Sequence, residues 1–299
     1  MRRPPPSPRS AAGIARAAAF LLHLGGLTLL PGRPALAAQD SDLRPLSEDS
    51  VLSGKLGAVG MVIAGESGPN LSLASGFLIS PCHVLTAAHV LARPGQPVKI
   101  GMPVQFLAKG QNTRALVSPA WGRVVAADPA FVMSEQPPGF DRQAIARDWG
   151  LVELERPLPD IAPIKLVFPG ARIAANALFS IVGYPFGGRS ISLHAQEHCR
   201  NGSSFHAQTT LGGVIIADCA VRQGMSGGPL LVEGNAEPLA AGIVVERVDI
   251  GKRVMTVAVP SAIFAETVVA AMRDSDVCAA GSPFAWPPAN TPHASQRGD

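Results

Sequence analysis

Long apolar runs are absent from this sequence of 299 residues. The longest mostly apolar stretch covers residues 17–30, which is about 14 positions, whereas a helix that spans a bilayer needs about 20. This stretch is therefore too short for a membrane-spanning helix. Its flanks match an export signal instead, because an arginine-rich segment precedes it and residues 35–37 (ALA) form a small-x-small cleavage site.

We therefore expect residues 1–37 to be a signal peptide that is removed after Ala37. A retained amphipathic anchor is the alternative. Residues 38–55 are polar and are expected to form a short leader or arm. The expected location is secreted or periplasmic.

A large excess of charge is also absent. The formal net charge is +3, but residues 1–37 hold five arginines and no acidic residue. Their removal leaves 20 basic against 22 acidic residues, a net charge of −2. A basic patch is the usual footprint of nucleic-acid or anionic-membrane binding. We therefore expect neither nucleic acid nor, after signal cleavage, a membrane as partner.

Patterns typical of metal sites are missing as well. No carboxylate-rich loop that would hold calcium is visible. Metal-ligating side chains cluster loosely at His194, His198, Cys199 and His206, but their spacing matches no paired-ligand pattern of structural zinc. We expect no metal and no cofactor, with a metal site at these four residues as the alternative.

Short strand-like segments make up most of the remaining sequence. Residues 59–64 and 72–79 flank a turn-rich segment and predict a β-hairpin. Further predicted strands lie at residues 84–86, 98–100, 115–117, 150–155, 178–182, 211–217, 230–232, 240–248 and 254–259. This spacing predicts an all-β barrel or sandwich. Residues 119–146 are interpreted as an inserted surface loop, and residues 261–272 as a helix capped at Pro260-Ser261.

Ser226 lies among glycines in residues 224–229 (GMSGGP). A serine that performs acyl chemistry needs a neighbouring base and N–H groups aimed at the developing oxyanion. Gly224 can turn its own N–H and that of Ser226 toward one point, so these two amides are the expected oxyanion hole. A Gly-rich turn before a strand is the other interpretation of this hexapeptide.

A base and a carboxylate precede this serine. His89 ends residues 85–89 (LTAAH), and Asp148 opens residues 148–154 (DWGLVEL), so the chain order is His, Asp, Ser. Asp128 and Asp141 are rivals for the acid, but only Asp148 begins an alternating strand. His83, which lies in a predicted turn, is expected to face solvent. The order excludes an α/β-hydrolase, in which the acid and histidine follow the serine.

These three segments resemble the motifs T-A-A-H, D-x-x-L-x-x-L and G-x-S-G-G-P of the chymotrypsin/trypsin-like serine peptidases, over residues 56–272. The resemblance implies an all-β fold of two six-stranded antiparallel β-barrels with a C-terminal helix, joined near residues 155–165. It also implies a catalytic triad of His89, Asp148 and Ser226. Residues 273–299 are expected to be a C-terminal tail, disordered after Cys278.

Four cysteines in an exported chain favour two disulfides, and three pairings are possible. We favour Cys199–Cys219, because both lie in the segment that leads to Ser226. Cys82–Cys278 then remains, and it agrees with the family fold, in which the last helix packs against the first barrel.

The chain departs from the family pattern in several places. Met225 stands where pancreatic-type members have an acid that receives a new amino terminus, so the closer resemblance is to the bacterial glutamyl-endopeptidase-like branch. Ala220 gives no support for a trypsin-like preference for Lys or Arg. Val244 falls near the histidine of glutamyl-specific relatives, and Val245 falls near the usual supporting serine. The specificity of the primary pocket stays unassigned.

The resemblance implies an exported, monomeric serine endopeptidase that acts on protein or peptide substrates through an acyl-enzyme. The alternative is a catalytically idle trypsin-like barrel that acts as a binding protein.

Overall fold

The computed structural model describes residues 43–46, 56–65, 71–108, 119–134, 141–169, 173–174, 176–186, 192–201, 213–250, 253–275 and 277. All of them belong to one contact unit of the chain, residues 37–299. The predicted signal peptide, most of the predicted leader and the predicted tail after Cys278 lie outside the described residues.

Strands dominate the described residues, and most of them are short. The strands are β1 (Arg44–Pro45), β2 (Val59–Ala64), β3 (Ser72–Ser80), β4 (His83–Thr86), β5 (Pro103–Ala108), β6 (Ala120–Ala127), β7 (Gly150–Leu154), β8 (Lys165–Leu166), β9 (Leu178–Gly183), β10 (His194–Arg200), β11 (Ile215–Ala217), β12 (Pro229–Val232), β13 (Leu239–Ile250) and β14 (Arg253–Pro260). The helices are α1 (Ala88–Leu91), α2 (Arg142–Ala146) and α3 (Ser261–Arg273).

Six of the strands form a closed antiparallel barrel in the order β2-β3-β4-β7-β6-β5. The predicted hairpin is confirmed, because β2 pairs with β3 from Val59 opposite Phe77 to Ala64 opposite Ser72. Phe77, Leu85 and Phe106 are fully buried among the apolar side chains of the core. Burial of this apolar surface is the main stabilising term of such a core.

The second sheet is open, which corrects the prediction of two six-stranded barrels. Its order is β1-β10-β9-β12-β13-β14-β11, and β8 pairs in parallel with β13. The edge strand β11 has only three residues. It reaches the chain just after β10 through one isolated bridge, between Asn201 and Ala217. One bridge is not a ladder, so the described part of this sheet does not close.

The surface loop predicted at residues 119–146 is also wrong. These residues contain β6, which pairs with both β5 and β7 and is therefore necessary for closure of the barrel. An exposed Trp121 and a buried Gly122 in β6 obscure the apolar alternation that would have indicated a strand. The strand predicted at residues 98–100 is wrong too, because that stretch only precedes β5.

The C-terminal helix is confirmed as α3, which begins at Ser261 with Pro260 at the N-cap position as predicted. The hydroxyl of Ser261 donates to the carbonyl of Val167, and no described side chain accepts a hydrogen bond from the N–H groups of the first turn as a cap. Phe264 of α3 is buried, and its ring centroid lies 5.7 Å from that of Trp149. The helix therefore packs against the residue that directly follows Asp148. No helix in the described ranges is long and apolar enough to cross a membrane.

Candidate active site

The pairing of β4 with β7 brings His89 and Asp148 together. In this antiparallel ladder Thr86 is opposite Gly150, so the chain that leaves β4 runs beside the chain that enters β7. The backbone N–H of His89 donates to Oδ1 of Asp148 at 2.8 Å, and Nδ1 lies 2.6 Å from Oδ2. This contact assigns the ring proton to Nδ1 and leaves Nε2 as the proton acceptor.

Asp128 and Asp141, the rival acids, accept hydrogen bonds from backbone N–H groups close to them in the chain. Asp128 accepts a hydrogen bond from the N–H of Ala130 at 2.8 Å. Asp141 accepts from the N–H groups of Gln143 and Ala144 and so caps helix α2. Asp148 is thus the one of these three carboxylates that contacts His89.

Three ionisable groups interact at the site. Burial disfavours the charged form of His89, but the charge and hydrogen bond of Asp148 and the charge of Glu246 outweigh burial, so the pKa of His89 lies above its ordinary value. Burial, followed by the charge of Asp148, raises the pKa of Glu246 against the opposite effect of His89. A histidine with a raised pKa is a stronger base once it is neutral. Sequence reasoning missed Glu246, since nothing in its local pattern points to this contact.

The loop around Ser226 depends on its glycines. Gly224 and Gly227 have φ angles of 95° and 86°, in the left-handed region that favours glycine. A Cβ at Gly227 would lie 2.1 Å from the backbone oxygen of Ser75 and 2.3 Å from Oγ1 of Thr86. The loop is therefore tightly packed against the barrel segment that leads to His89.

The amides of this loop divide into two groups. The N–H groups of Met225, Gly227 and Gly228 donate to backbone carbonyls. The N–H groups of Gly224 and Ser226 have no acceptor among the described residues. Two such amides within one turn can bind an oxyanion.

The hydroxyl of Ser226 points toward β13. Its Oγ donates to the carbonyl of Val245 at 3.4 Å, and no hydrogen bond to His89 is present between these two described residues. Hydrogen bonds at catalytic sites are often long or misaligned before substrate binds. Ser226 is partly exposed, so its hydroxyl is open to a substrate from solvent.

Ser75 of β3 connects the barrel to this loop, and sequence reasoning missed it. Its N–H donates to the carbonyl of Ser226 at 2.9 Å. Its hydroxyl donates to the carbonyl of Gly224 at 2.7 Å and accepts from the N–H of Tyr184 at 2.8 Å. Thr86 donates in turn to the carbonyl of Ser75. Ser75 is fully buried, so these bonds hold the Gly224–Met225 peptide in one orientation.

A model of the trypsin-like peptidase domain family matches residues 74–236, which is more than half of the chain. The chain belongs to this family. The resemblance seen in the sequence is thereby confirmed. A comparison with curated protein sequences finds no match.

Solved structures with the trypsin-like fold are similar over most of this chain. A Glu endopeptidase has 13% sequence identity and a TM-score of 0.57, over 80% of this chain and 100% of that one. The human heparin binding protein has 17% identity and a TM-score of 0.54, over 78% and 96%. A thermostable serine protease from an extremophilic microorganism has 13% identity and a TM-score of 0.52, over 72% and 95%. At these identities the likeness establishes the fold alone.

Three cysteines in the described part of the trypsin-like domain are disulfide-bonded. The structure joins Cys199 to Cys219, the pair favoured from the sequence, with their Cα atoms 5.3 Å apart. Cys82 is also disulfide-bonded. The predicted partner, Cys278, lies outside the described residues.

His83 is buried, which corrects the expectation that it faces solvent. It belongs to β4, is 1% exposed, and its Nδ1 lies 2.8 Å from the hydroxyl of Ser80. Burial lowers the pKa of His83 to about 4, against an opposing effect of Glu153. His83 is therefore a neutral core side chain of the trypsin-like domain at neutral pH.

The histidines of the alternative metal site have separate partners. Nδ1 of His194 lies 3.0 Å from the carbonyl of Ser192, and Nδ1 of His198 lies 2.9 Å from Oε2 of Glu233. Cys199 is in the disulfide, and His206 lies outside the described residues. Within the part of the chain that the structure describes, no group of side chains could hold a metal ion.

Proposed function

We propose that the chain is an exported serine endopeptidase with Ser226 as nucleophile, His89 as base and Asp148 as the orienting acid. The observation that carries the proposal is the 2.6 Å contact between His89 Nδ1 and Asp148 Oδ2. It is supported by a glycine-held serine whose loop packs against the segment that leads to His89. Membership of the trypsin-like peptidase family makes protein or peptide substrates the natural choice.

Acylation begins when Ser226 exchanges its contact with Val245 for one with Nε2 of His89. As Oγ bonds to the scissile carbonyl carbon, Nε2 takes its proton, and Asp148 stabilises the imidazolium. The carbonyl oxygen gains the negative charge and accepts hydrogen bonds from the N–H groups of Gly224 and Ser226. His89 then gives its proton to the leaving amine, and the acyl-enzyme remains.

Deacylation repeats these steps with water. His89 removes a proton from water as the water oxygen attacks the ester carbon, and it then returns that proton to Oγ of Ser226. The carboxylic acid product leaves, and the enzyme is restored. No step requires a metal or a cofactor.

A binding protein without activity is the second candidate. One structural neighbour carries the name of a binding protein, the human heparin binding protein, so the fold alone does not decide between the two. The resting hydrogen bond from Ser226 to Val245 is compatible with either. The two candidates differ in whether Ser226 is nucleophilic.

Labelling with a fluorophosphonate probe tests this difference. We expect one adduct per wild-type chain by intact mass, and none with Ser226→Ala or His89→Ala. His194→Ala is the matched control, because the ring of His194 contacts the carbonyl of Ser192, two residues away. This variant should label like wild type. Absence of labelling on folded wild type would refute the peptidase proposal and favour the binding protein.

A further inference from the structure

Glu246 is a charged side chain at the candidate site to which the proposed mechanism gives no role. It lies on β13, directly after Val245, whose carbonyl accepts the hydrogen bond from Ser226. It is half-buried. Its position follows from how β13 is paired.

One edge of β13 becomes free beside Ser226. β12 pairs with β13 only as far as Pro229 opposite Ile243, and the N–H of Val244 still donates to Gly228. β14 continues on the other side to Ile250. From Val245 onward, the β12 side of β13 has no partner among the described strands. An unpaired strand edge can accept an extended peptide as an additional strand.

The register shift in β13 decides what such a peptide would meet. The pairing of β13 with β14 shifts between Val244 and Glu246, which is a bulge at Val245. Bulges redirect the following side chain and are common next to active sites. A peptide with its scissile carbonyl at Ser226 would run along this edge at about 3.3 Å per residue. Glu246, one residue from Val245, would therefore face a side chain within about two residues of the scissile bond.

The charges around Glu246 favour a cation at that place. Glu246 and Asp148 are both acidic, and each affects the titration of His89. In the described part of the chain, Glu246 forms no ion pair with a lysine or arginine, and the neighbouring Arg247 pairs with Asp249 at 3.1 Å. A positively charged side chain of the substrate would neutralise the half-buried carboxylate of Glu246, whereas this carboxylate would repel an acidic side chain.

We propose that Glu246 selects peptides with a lysine or arginine within two residues of the scissile bond and disfavours acidic residues there. This inference rests on the proposed peptidase function. An ion pair at a partly exposed site is worth up to about fivefold in an equilibrium, and exclusion of water by the peptide strengthens it. We expect kcat/KM for an Arg peptide to exceed that for its Gln counterpart about five- to tenfold.

The test uses fluorogenic peptides from a positional-scanning library, with Arg, Gln or Glu at each position within two residues of the cleaved bond. Wild type, Glu246→Gln and Glu246→Lys are compared. Glu266→Gln is the control, because Glu266 is an exposed acid on α3. The readout is the ratio of kcat/KM for Arg and Gln peptides within each variant, since this ratio cancels any general loss of activity.

The expected result is an Arg preference in wild type and Glu266→Gln, a ratio near one in Glu246→Gln, and a preference for Glu in Glu246→Lys. The wild-type ratio should also fall between about 0.05 M and about 0.5 M salt, as screening requires. If the Arg-to-Gln ratio of kcat/KM is equal in wild type and Glu246→Gln, the inference about Glu246 is overturned. The peptidase function is still supported in that case, provided that the fluorophosphonate probe labels wild type. Absence of labelling overturns both.

Discussion

Ser75 offers the sharpest test of how the barrel supports the candidate oxyanion hole. Substitution to alanine removes one buried hydroxyl that serves two partners, the carbonyl of Gly224 and the N–H of Tyr184. Each partner would be left buried and unpaired, at a cost of about 1–3 kcal/mol. We expect Ser75→Ala to lower the free energy of unfolding by about 2–6 kcal/mol. In a domain of this size this corresponds to a fall in Tm of roughly 5–15 °C.

The catalytic effect should differ from the effect on stability. The carbonyl of Gly224 belongs to the Gly224–Met225 peptide, which lies between the two N–H groups of the candidate oxyanion hole. Without the bond to Ser75, this peptide can reorient and displace the N–H groups of Gly224 and Ser226 on either side of it. Loss of one such donor costs about 10²- to 10³-fold in kcat. We expect kcat to fall by at least tenfold with little change in KM, because the interaction is made mainly in the transition state.

The assay combines urea unfolding with steady-state kinetics on one peptide. Ser75→Cys keeps a weak donor and a weak acceptor on a slightly larger atom, so it should be intermediate. Ser72→Ala, at the partly exposed start of the same strand, is the control and should resemble wild type. Normal kcat in a folded but destabilised Ser75→Ala would refute the positioning role and leave only a structural one.

Four further predictions concern pH, the triad and export. The pKa of His83 is about 4, against an ordinary value of 6.5, so between these pH values the native state binds fewer protons than the unfolded state. The free energy of unfolding should therefore fall by about 3 kcal/mol as the pH is lowered from 6.5 to 4. Urea unfolding should show this loss in wild type and not in His83→Asn. The rate of fluorophosphonate labelling should fall at acidic pH as His89 becomes protonated. Glu246→Gln should shift this fall to lower pH, because Glu246 raises the pKa of His89. An unchanged pH profile would contradict this. Asp148→Asn should lower kcat by about 10⁴-fold, measured on the same peptide, with near-normal folding. Expression in a host with an export pathway should yield a mature chain that begins at Ala38, which amino-terminal sequencing would detect.

The local chemistry of the site could be predicted from the sequence. The glycines around Ser226 are needed for its turn whatever surrounds it, because two of them have left-handed φ angles. The hairpin of β2 and β3 could also be predicted, since the two strands follow one another in the chain and a turn-rich segment joins them. These features depend on contacts within a few residues.

Tertiary structure alone decided the contacts between distant segments. His89 and Asp148 are 59 residues apart and meet because β4 and β7 pair in one register. His83 lies on β4, a strand of the closed barrel whose four residues are all buried in the folded chain. β6 is a barrel strand because β5 and β7 pair with it on its two sides. Ser75 and Glu246 show no local signal, since their importance comes from segments that folding brings beside them. The sequence thus determined which side chains could react, whereas strand pairing and closure determined which of them meet, because register and burial are properties of the whole chain.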